Sequence, residues 1–158
     1  MRRRIDPVDR LILKTMQLNA RMPNQDVAAK VSISPSACLY RVRRLESEGV
    51  IRRYLLDVDL TYLDDWVTLW AEVVLTPEGR AERKRLEHAF ATATPILEAR
   101  QLVGRADYLL KIAGRDASEW PALVQHLDPD ARLISSASVQ FEAKIAKHFA
   151  GLPQLAER

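Results

Sequence analysis

The stretch from residue 32 to residue 51 decides the fold of the first third of the chain. It reads Ser32-Ile33-Ser34-Pro35-Ser36-Ala37-Cys38-Leu39-Tyr40-Arg41-Val42-Arg43-Arg44-Leu45-Glu46-Ser47-Glu48-Gly49-Val50-Ile51. Ser34 is a favourable helix N-cap, Pro35 suits the first helical turn, and Gly49 stands where glycine commonly ends a helix. From Cys38 onward, apolar side chains recur at i, i+4 and i+7, which is the spacing of one buried helix face. The stretch therefore predicts a helix that begins after Ser34 and runs up to Gly49.

Two apolar patterns earlier in the chain predict two more helices. Asp6 is a favourable N-cap, and Pro7 fits the first turn of a helix that runs to Leu18. A second helix is predicted from Asn24 to Val31, and only Ser32-Ile33-Ser34 separates it from the third. Three helices with a tight turn between the second and the third form a helix-turn-helix, whose third helix enters the DNA major groove.

The face of the third helix opposite its apolar stripe predicts the DNA contacts. Its first half presents side chains suited to base edges, because arginine pairs with guanine, a hydroxyl bonds purines or pyrimidines, and an alanine methyl touches thymine. Arg41 is the predicted guanine contact, whereas Arg43, Arg44 and the N-cap are predicted to reach phosphates. The predicted DNA-binding residues are Ser34, Ser36, Ala37, Tyr40, Arg41, Arg43 and Arg44.

Positive charge is concentrated in the first 60 residues. They carry 12 Lys and Arg against 7 Asp and Glu, a net charge of +5, whereas residues 61–158 carry 12 against 14, a net charge of −2. A basic domain on a near-neutral body is typical of a protein in which one domain binds a polyanion. The charge pattern alone is equally compatible with a nucleic-acid partner and with a solvated basic surface. The helix-turn-helix makes double-stranded DNA the expected partner.

A different periodicity follows the helix-turn-helix. Alternating residues predict an extended strand from Arg52 to Leu60, and the rest of the chain predicts the order β-α-β-β-α-β of a ferredoxin-like fold. The predicted elements are Trp66–Leu75, Pro77–Ala93, Ile96–Val103, Tyr108–Ala113, Ala117–Leu127 and Leu133–Ile145. The predicted class is α+β, with a three-helix winged helix-turn-helix domain in residues 1–51, a strand and linker in residues 52–65, a ferredoxin-like domain in residues 66–150 and a tail in residues 151–158.

The predicted sheet has a face that needs a covering partner. In its first strand, Val67, Leu69 and alternate residues form one apolar side, while Trp66 and Trp70 stand on the other. Helices cover one face of such a sheet. We therefore expect a second subunit to cover the other, since two exposed tryptophans are costly on a monomer.

Other function classes leave no trace in the sequence. No nucleophile–base pair, phosphate-binding loop or metal-ligand spacing is visible, so we expect no enzyme activity, cofactor or metal. No apolar run approaches the roughly 20 residues of a membrane span, and the basic start lacks the apolar segment of a signal peptide. The single Cys38 suits a reducing compartment, and the expected location is the cytoplasm.

The sequence resembles the Lrp/AsnC (feast/famine) family of transcription regulators over nearly its whole length. Asp9-Arg10-Leu11-Ile12-Leu13 is similar to the family's opening helix, and the stretch from residue 32 to residue 51 is similar to its recognition segment. Val103-Gly104-Arg105-Ala106-Asp107-Tyr108 carries the family's Gly-x-x-Asp-Tyr signature, and the end from Lys147 to Pro153 is also similar.

The resemblance implies an oligomer and an effector. Members of the family form dimers that usually assemble into tetramers or octamers, with sheet-to-sheet pairing of their C-terminal domains. Small-molecule effectors, commonly amino acids, bind at the subunit boundaries beside the Gly-x-x-Asp-Tyr turn and the polar side of the last strand. Carried over by position, the implied effector-binding residues are Gly104, Arg105, Asp107, Tyr108, Ser136, Ser138 and Gln140.

An amino acid offers an ammonium group and a carboxylate to such a site. Asp107 would receive the ammonium, and the backbone amides beside Gly104 would receive the carboxylate. The alternative is local, in that Gly104 permits the turn and Asp107 caps it. Gln140 and Glu142 stand where the family more usually has apolar residues, which predicts a more polar pocket.

Together these features predict a sequence-specific DNA-binding transcriptional regulator whose assembly or DNA affinity responds to a small effector. An architectural DNA-organising protein with little ligand response would have the same helix-turn-helix and oligomer. An effector-dependent change in DNA affinity or particle size distinguishes the two. A ligand-sensing module whose first domain binds a protein is a further alternative, against which salt-dependent DNA binding would argue.

Overall fold

The computed structural model describes residues 5–56, 58–59, 62, 66–149 and 151–152. The chain forms two compact units. The helical unit consists of residues 1–57 and 146–158, and the sheet unit consists of residues 58–145. This division differs from the predicted domain boundaries, because it places residues 52–57 and the C-terminal segment with the helices.

The helical unit contains three helices, α1 (Pro7–Leu18), α2 (Asn24–Lys30) and α3 (Pro35–Ser47). All three were expected from the apolar spacing, and the predicted caps at Asp6 and Ser34 form. The expected cap of α2 at Asn24 is wrong, because the N-cap there is Pro23 and no side chain caps the helix. The Asp6 carboxylate accepts a hydrogen bond from the backbone N–H of Asp9 at 2.8 Å, and the Ser34 hydroxyl accepts one from that of Ala37 at 3.2 Å. The buried core consists of Ile12, Val27, Ala28, Val31, Cys38 and Leu45.

The strand predicted from Arg52 to Leu60 is wrong for the residues that the structure describes. Residues 52–56 and 58–59 carry no strand, while Asp57 and Leu60 lie outside the described residues. A strand requires a hydrogen-bonding neighbour, and none of the described residues pairs with this segment. Alternation alone cannot supply that neighbour. The Tyr54 hydroxyl nevertheless ties the segment to α3 by donating to Glu46 at 2.7 Å.

The sheet unit has the predicted ferredoxin-like order. Its strands are β1 (Val67–Leu75), β2 (Ile96–Gln101), β3 (Tyr108–Gly114) and β4 (Ile134–Phe141), and they lie in the antiparallel order β2-β3-β1-β4. The last strand ends at Phe141 and not at Ile145, because Phe141 pairs with Leu69 near the start of β1. The backbone N–H of Glu142 makes one further bond, to the Thr68 carbonyl at 2.9 Å.

The helices of the sheet unit are shorter than predicted. The expected helix from Pro77 to Ala93 is two helices, α4 (Pro77–Ala81) and α5 (Arg83–Thr92), separated by Glu82 with φ −98° and ψ 25°. The expected helix from Ala117 to Leu127 begins as a 3₁₀ turn and continues as α6 (Trp120–Leu127).

The two faces of the sheet differ in burial, as the side chains of β1 and β3 show. Alternate residues point into a core that α5 and α6 cover, and these residues are fully or nearly fully buried. The buried core consists of Leu69, Ala71, Val73, Leu75, Leu86, Phe90, Ala93, Tyr108, Leu110, Ile112, Leu127 and Leu133. The intervening β1 residues, Thr68, Trp70, Glu72 and Val74, form part of the outer face, which no described helix of the sheet unit covers.

A close backbone approach joins α4 to the chain before β4. A Cβ atom at Gly79 would lie 2.1 Å from the carbonyl oxygen of Leu133, so only glycine fits there without a backbone shift. Thr76 secures the same junction from both directions. Its hydroxyl donates to the Arg132 carbonyl at 2.6 Å and accepts from the N–H of Gly79 at 3.0 Å, which also caps α4.

Candidate DNA-recognition and effector surfaces

The turn before α3 sets the direction in which this helix leaves α2. Ser32 adopts a left-handed conformation with φ 56°, which is uncommon for a residue other than glycine. The N–H of Ile33 donates to the Ala28 carbonyl at 3.1 Å, and the Asn24 side chain donates to the Pro35 carbonyl at 2.8 Å. These bonds hold the start of α3 against α2, as a helix-turn-helix requires.

Most of the predicted DNA-binding residues lie on the exposed face of α3. Five of them are exposed, namely Ser34, Ser36, Ala37, Tyr40 and Arg43. The hydroxyls of Ser34 and Ser36 lie 3.2 Å apart at the start of the helix. The opposite face carries Cys38 and Leu45, which are buried in the core. This separation of faces presents the first half of α3 to an external partner.

The other two predicted contacts, Arg41 and Arg44, bind carboxylates of the same unit. Arg41 Nη1 donates to Asp6 at 2.6 Å and to Asp9 at 2.8 Å. Arg44 Nη2 donates to Asp9 at 2.5 Å. We call Asp6, Asp9, Arg41 and Arg44 the N-terminal ion cluster. These bonds tie both guanidinium groups to carboxylates, so a DNA contact by either arginine could use only the N–H groups that the bonds leave free.

The N-terminal ion cluster shifts the pKa of Asp6 and of Arg41. The N–H of Asp9 and the Arg41 guanidinium both bond the carboxylate of Asp6, and together they lower its pKa to about 2. The two aspartates in turn raise the pKa of Arg41. Asp6 and Arg41 are therefore both ionised at neutral pH.

The structure divides the predicted effector-binding residues between the two faces of the sheet. In the β1–β4 register, Ser136, Ser138 and Gln140 stand opposite Val74, Glu72 and Trp70, on the outer face. Arg105 joins them, because its Nη2 binds both carboxylate oxygens of Glu72 at 2.8 and 2.9 Å. Gly104 lies nearby in the exposed β2–β3 turn, with φ 155°. Asp107 and Tyr108 belong to the other face.

The Asp107 carboxylate is enclosed by groups of its own chain. It accepts from Arg80 at 3.0 and 3.1 Å, from Arg83 at 2.9 Å and from the N–H of Leu75 at 2.9 Å. We call Asp107, Arg80 and Arg83 the Asp107 ion cluster. Arg80 makes the largest contribution to the lowered pKa of Asp107, and the N–H of Leu75 lowers it further. Receiving an effector ammonium there would require displacement of an arginine.

Tyr108 lies beneath a groove on the helix-covered side of the sheet. Its ring packs edge-on against Phe90 with 5.1 Å between ring centroids, and its hydroxyl donates to Glu87 at 2.8 Å. The groove has a volume of about 500 Å³ and runs between α5 and β2. Its polar lining comprises Glu87, Glu98, Gln101 and Tyr108.

Sequence reasoning missed the partners of these charged residues. Asp6 was identified only as a helix cap, and Asp9 only within the family's opening helix. Glu72, Arg80 and Arg83 were not singled out at all. One usable signal was present, because Arg41 and Arg44 are three residues apart on one helix face, as are Asp6 and Asp9 at the start of α1.

Neither a metal centre nor a membrane span emerges from the described residues. No group of three or more His, Cys, Asp or Glu side chains in the described ranges is arranged to hold a metal ion. None of the described helices is both long enough and apolar enough to cross a bilayer.

The fold and the exposed face of α3 define a DNA-binding regulator of the helix-turn-helix class. Residues 5–52 match the family model described as "Winged helix-turn-helix DNA-binding". The chain is 32% identical over 130 residues to the HTH-type transcriptional regulator AldR of Mycolicibacterium smegmatis, covering 82% of this chain and 76% of that protein. It is 32% identical over 120 residues to the leucine-responsive regulatory protein of Escherichia coli, covering 76% and 73%.

A solved structure shows the same architecture. A transcriptional regulator of Neisseria meningitidis, crystallised in complex with L-methionine, superposes with a TM-score of 0.79 at 25% identity, covering 95% of this chain and 97% of that one. The chain belongs to the Lrp/AsnC family of transcriptional regulators.

Proposed function

We propose that this regulator recognises DNA with the first half of α3 in the major groove. Ser36, Ala37 and Tyr40 would face base edges, while Ser34 and Arg43 would bind phosphates. The observation that carries this proposal is their joint exposure on one side of a helix whose other side is buried. The helix is also held at its start by the bonds to α2, so its exposed face is presented in a fixed direction.

Salt-dependent DNA binding tests this surface. A duplex selected from a random pool by the wild-type protein serves as the specific probe, and a shuffled duplex of the same composition serves as the reference. Each lost phosphate contact reduces the slope of log affinity against log salt by about 0.9. We expect that reduction for Arg43→Ala and none for Arg115→Ala, which removes the same charge from an exposed site in the sheet unit. Equal slopes for the two variants would contradict the proposed surface.

We further propose a homo-oligomer built from dimers that pair through the outer face of the sheet. Trp70 and Val74 are only half-buried on this face. Trp70 is held in place by a bond from its indole N–H to Glu142 at 2.7 Å and by the Lys111 ammonium 5.5 Å from its ring centroid. A partner's sheet would bury the apolar surface of Trp70 and Val74, because removing apolar surface from water lowers the free energy.

An amino acid or a related metabolite is the effector that we propose, bound on the outer face beside the β2–β3 turn. The N. meningitidis regulator crystallised with L-methionine supports this ligand class. Arg105 and Glu72 supply opposite charges at one place, and Ser138 stands beside Glu72 in the register. Arg105 would bind the ligand carboxylate and Glu72 the ammonium. The sequence had suggested the backbone amides beside Gly104 for the carboxylate and Asp107 for the ammonium.

A thermal-shift screen of the twenty amino acids, with light scattering on each ligand that binds, tests the effector site. A ligand that binds only the folded protein raises the melting temperature by mass action. We expect Arg105→Ala to abolish that increase and Glu87→Gln, in the groove on the other face, to preserve it. The opposite result would place the effector site in the groove between α5 and β2.

Measurements on the wild-type protein also distinguish an effector-gated regulator from an architectural DNA-organising protein. A ligand that changes DNA affinity or particle size supports an effector-gated regulator acting in the cytoplasm. A stable oligomer that binds DNA but responds to none of the twenty amino acids would favour the architectural alternative.

A further inference from the structure

The arginines of the N-terminal ion cluster have a different task from their exposed neighbour Arg43. We propose that Arg41 and Arg44 are positioning residues: they hold the recognition helix against α1 through Asp6 and Asp9, and they do not contact DNA. This inference rests on the proposed DNA surface of α3. It reassigns the two arginines that the sequence had placed at a base and a phosphate.

Burial distinguishes the two kinds of arginine. The side chains of Arg41 and Arg44 are 27% and 20% exposed, and Nε of Arg44 is buried. Arg43 is exposed and makes no ion pair with any described residue. An arginine that is partly buried and already bonded to carboxylates lacks the reach of one that projects into solvent.

The carboxylates that bind these arginines lie at the N-terminal end of α1. Asp6 is the N-cap of this helix and accepts the N–H of Asp9 with one oxygen, while its other oxygen accepts Arg41. Asp9 is itself almost completely buried. Asp6 therefore caps the start of α1 and also binds α3, so the two helices cannot rotate independently without breaking a charged hydrogen bond.

Charge compensation gives this arrangement a consequence for DNA binding. Two aspartates neutralise two arginines inside the unit, so α3 presents hydroxyls, a tyrosine and Arg43 to DNA in place of a cluster of three arginines. Sequence discrimination would then depend on the exact placement of α3, which the cluster controls.

The salt slope distinguishes positioning from contact. On the selected duplex, Arg43→Ala is expected to reduce the slope by about 0.9, the value for one phosphate. Arg41→Gln and Arg44→Gln are expected to leave the slope unchanged and to reduce the preference for the selected over the shuffled duplex by about tenfold, the discrimination of one base contact. Arg44→Lys keeps the positive charge at this position. It should therefore retain binding to the selected duplex if only that charge matters.

Asp9→Asn gives the sharper test, because positioning and electrostatics predict opposite results. Removing a negative charge beside a DNA surface should strengthen binding to both duplexes if charge alone matters. If Asp9 acts through Arg41 and Arg44, the variant should lose about tenfold in preference, as the arginine variants do. Asp26→Asn, at an exposed site in the same unit, is the matched control and should keep the preference.

Folding is checked separately by circular dichroism at the temperature of the binding assay. The proposal is supported if folded Asp9→Asn and Arg44→Gln lose preference with slopes equal to that of the wild type. It is overturned if both arginine variants lose about 0.9 in slope while Asp9→Asn keeps the preference, because the arginines would then be phosphate contacts. Failure of the wild-type protein to prefer its selected duplex would instead reject the DNA surface itself.

Discussion

The N-terminal ion cluster and the Asp107 ion cluster use the same chemistry for different ends. In the helical unit, two aspartates at the start of one helix bind two arginines on another. In the sheet unit, one aspartate beside a turn binds two arginines and a backbone N–H. The first joins two helices, and the second anchors a turn. In both, a charged residue that the sequence predicted to bind DNA or an effector is instead bonded to its own chain.

The largest effect should come from the Asp107 ion cluster. Asp107→Asn would leave two arginines and the buried N–H of Leu75 poorly matched. We expect it to lower the free energy of unfolding of the sheet unit by about 3 kcal/mol. Urea unfolding followed by tryptophan fluorescence measures this, since the sheet unit contains Trp66, Trp70 and Trp120. Asp130→Asn, in an exposed ion pair, should cost about 0.5 kcal/mol or less.

A smaller effect is expected from the N-terminal ion cluster. Asp9 accepts from Arg41 and Arg44 but from no described backbone group, so Asp9→Asn should lower the free energy of unfolding of the helical unit by about 2 kcal/mol. Urea unfolding followed by far-ultraviolet circular dichroism measures this loss, with tryptophan fluorescence identifying the transition of the sheet unit. Asp26→Asn is again the control. If Asp9→Asn lost as much stability as Asp107→Asn, the backbone bond from Leu75 to Asp107 would add nothing measurable to the Asp107 ion cluster.

The smallest effect should be the pH dependence contributed by Asp6. Its pKa is lowered to about 2 in the folded chain from an ordinary value of 3.8. Folding therefore favours the ionised form, so this stabilisation is present above about pH 4 and is lost as the pH falls towards 2. Melting temperatures of the wild type and Asp6→Asn should differ at pH 6 and converge near pH 2. A difference that stays constant over this pH range would contradict the lowered pKa of Asp6.

The sequence predicted the elements because their signals are local. Apolar residues at i, i+4 and i+7 mark α3 whatever it packs against, and Asp6 and Ser34 cap within three residues of themselves. Alternation likewise marked the inner face of β1. These patterns were sufficient for the helix-turn-helix and the ferredoxin-like order.

Pairing between distant residues was not available from those signals. Arg41 and Asp6 are 35 positions apart, and Arg80 and Asp107 are 27 apart. Composition gives the charge of each side chain but not the partner that the fold brings to it. The segment after Gly49 shows the same limit, because its alternation is that of a strand, yet no described neighbour pairs with it.

Gly79 restricts the sequences that can adopt the sheet unit. Core positions such as Leu110 can exchange with isoleucine or methionine at modest cost, because neighbouring side chains repack. At Gly79 the obstacle is the main-chain carbonyl of Leu133, which has no rotamer to change. The next residue, Arg80, binds Asp107, so moving α4 aside would also pull on that ion cluster. A short exposed helix thus contains a position less tolerant of substitution than the hydrophobic core.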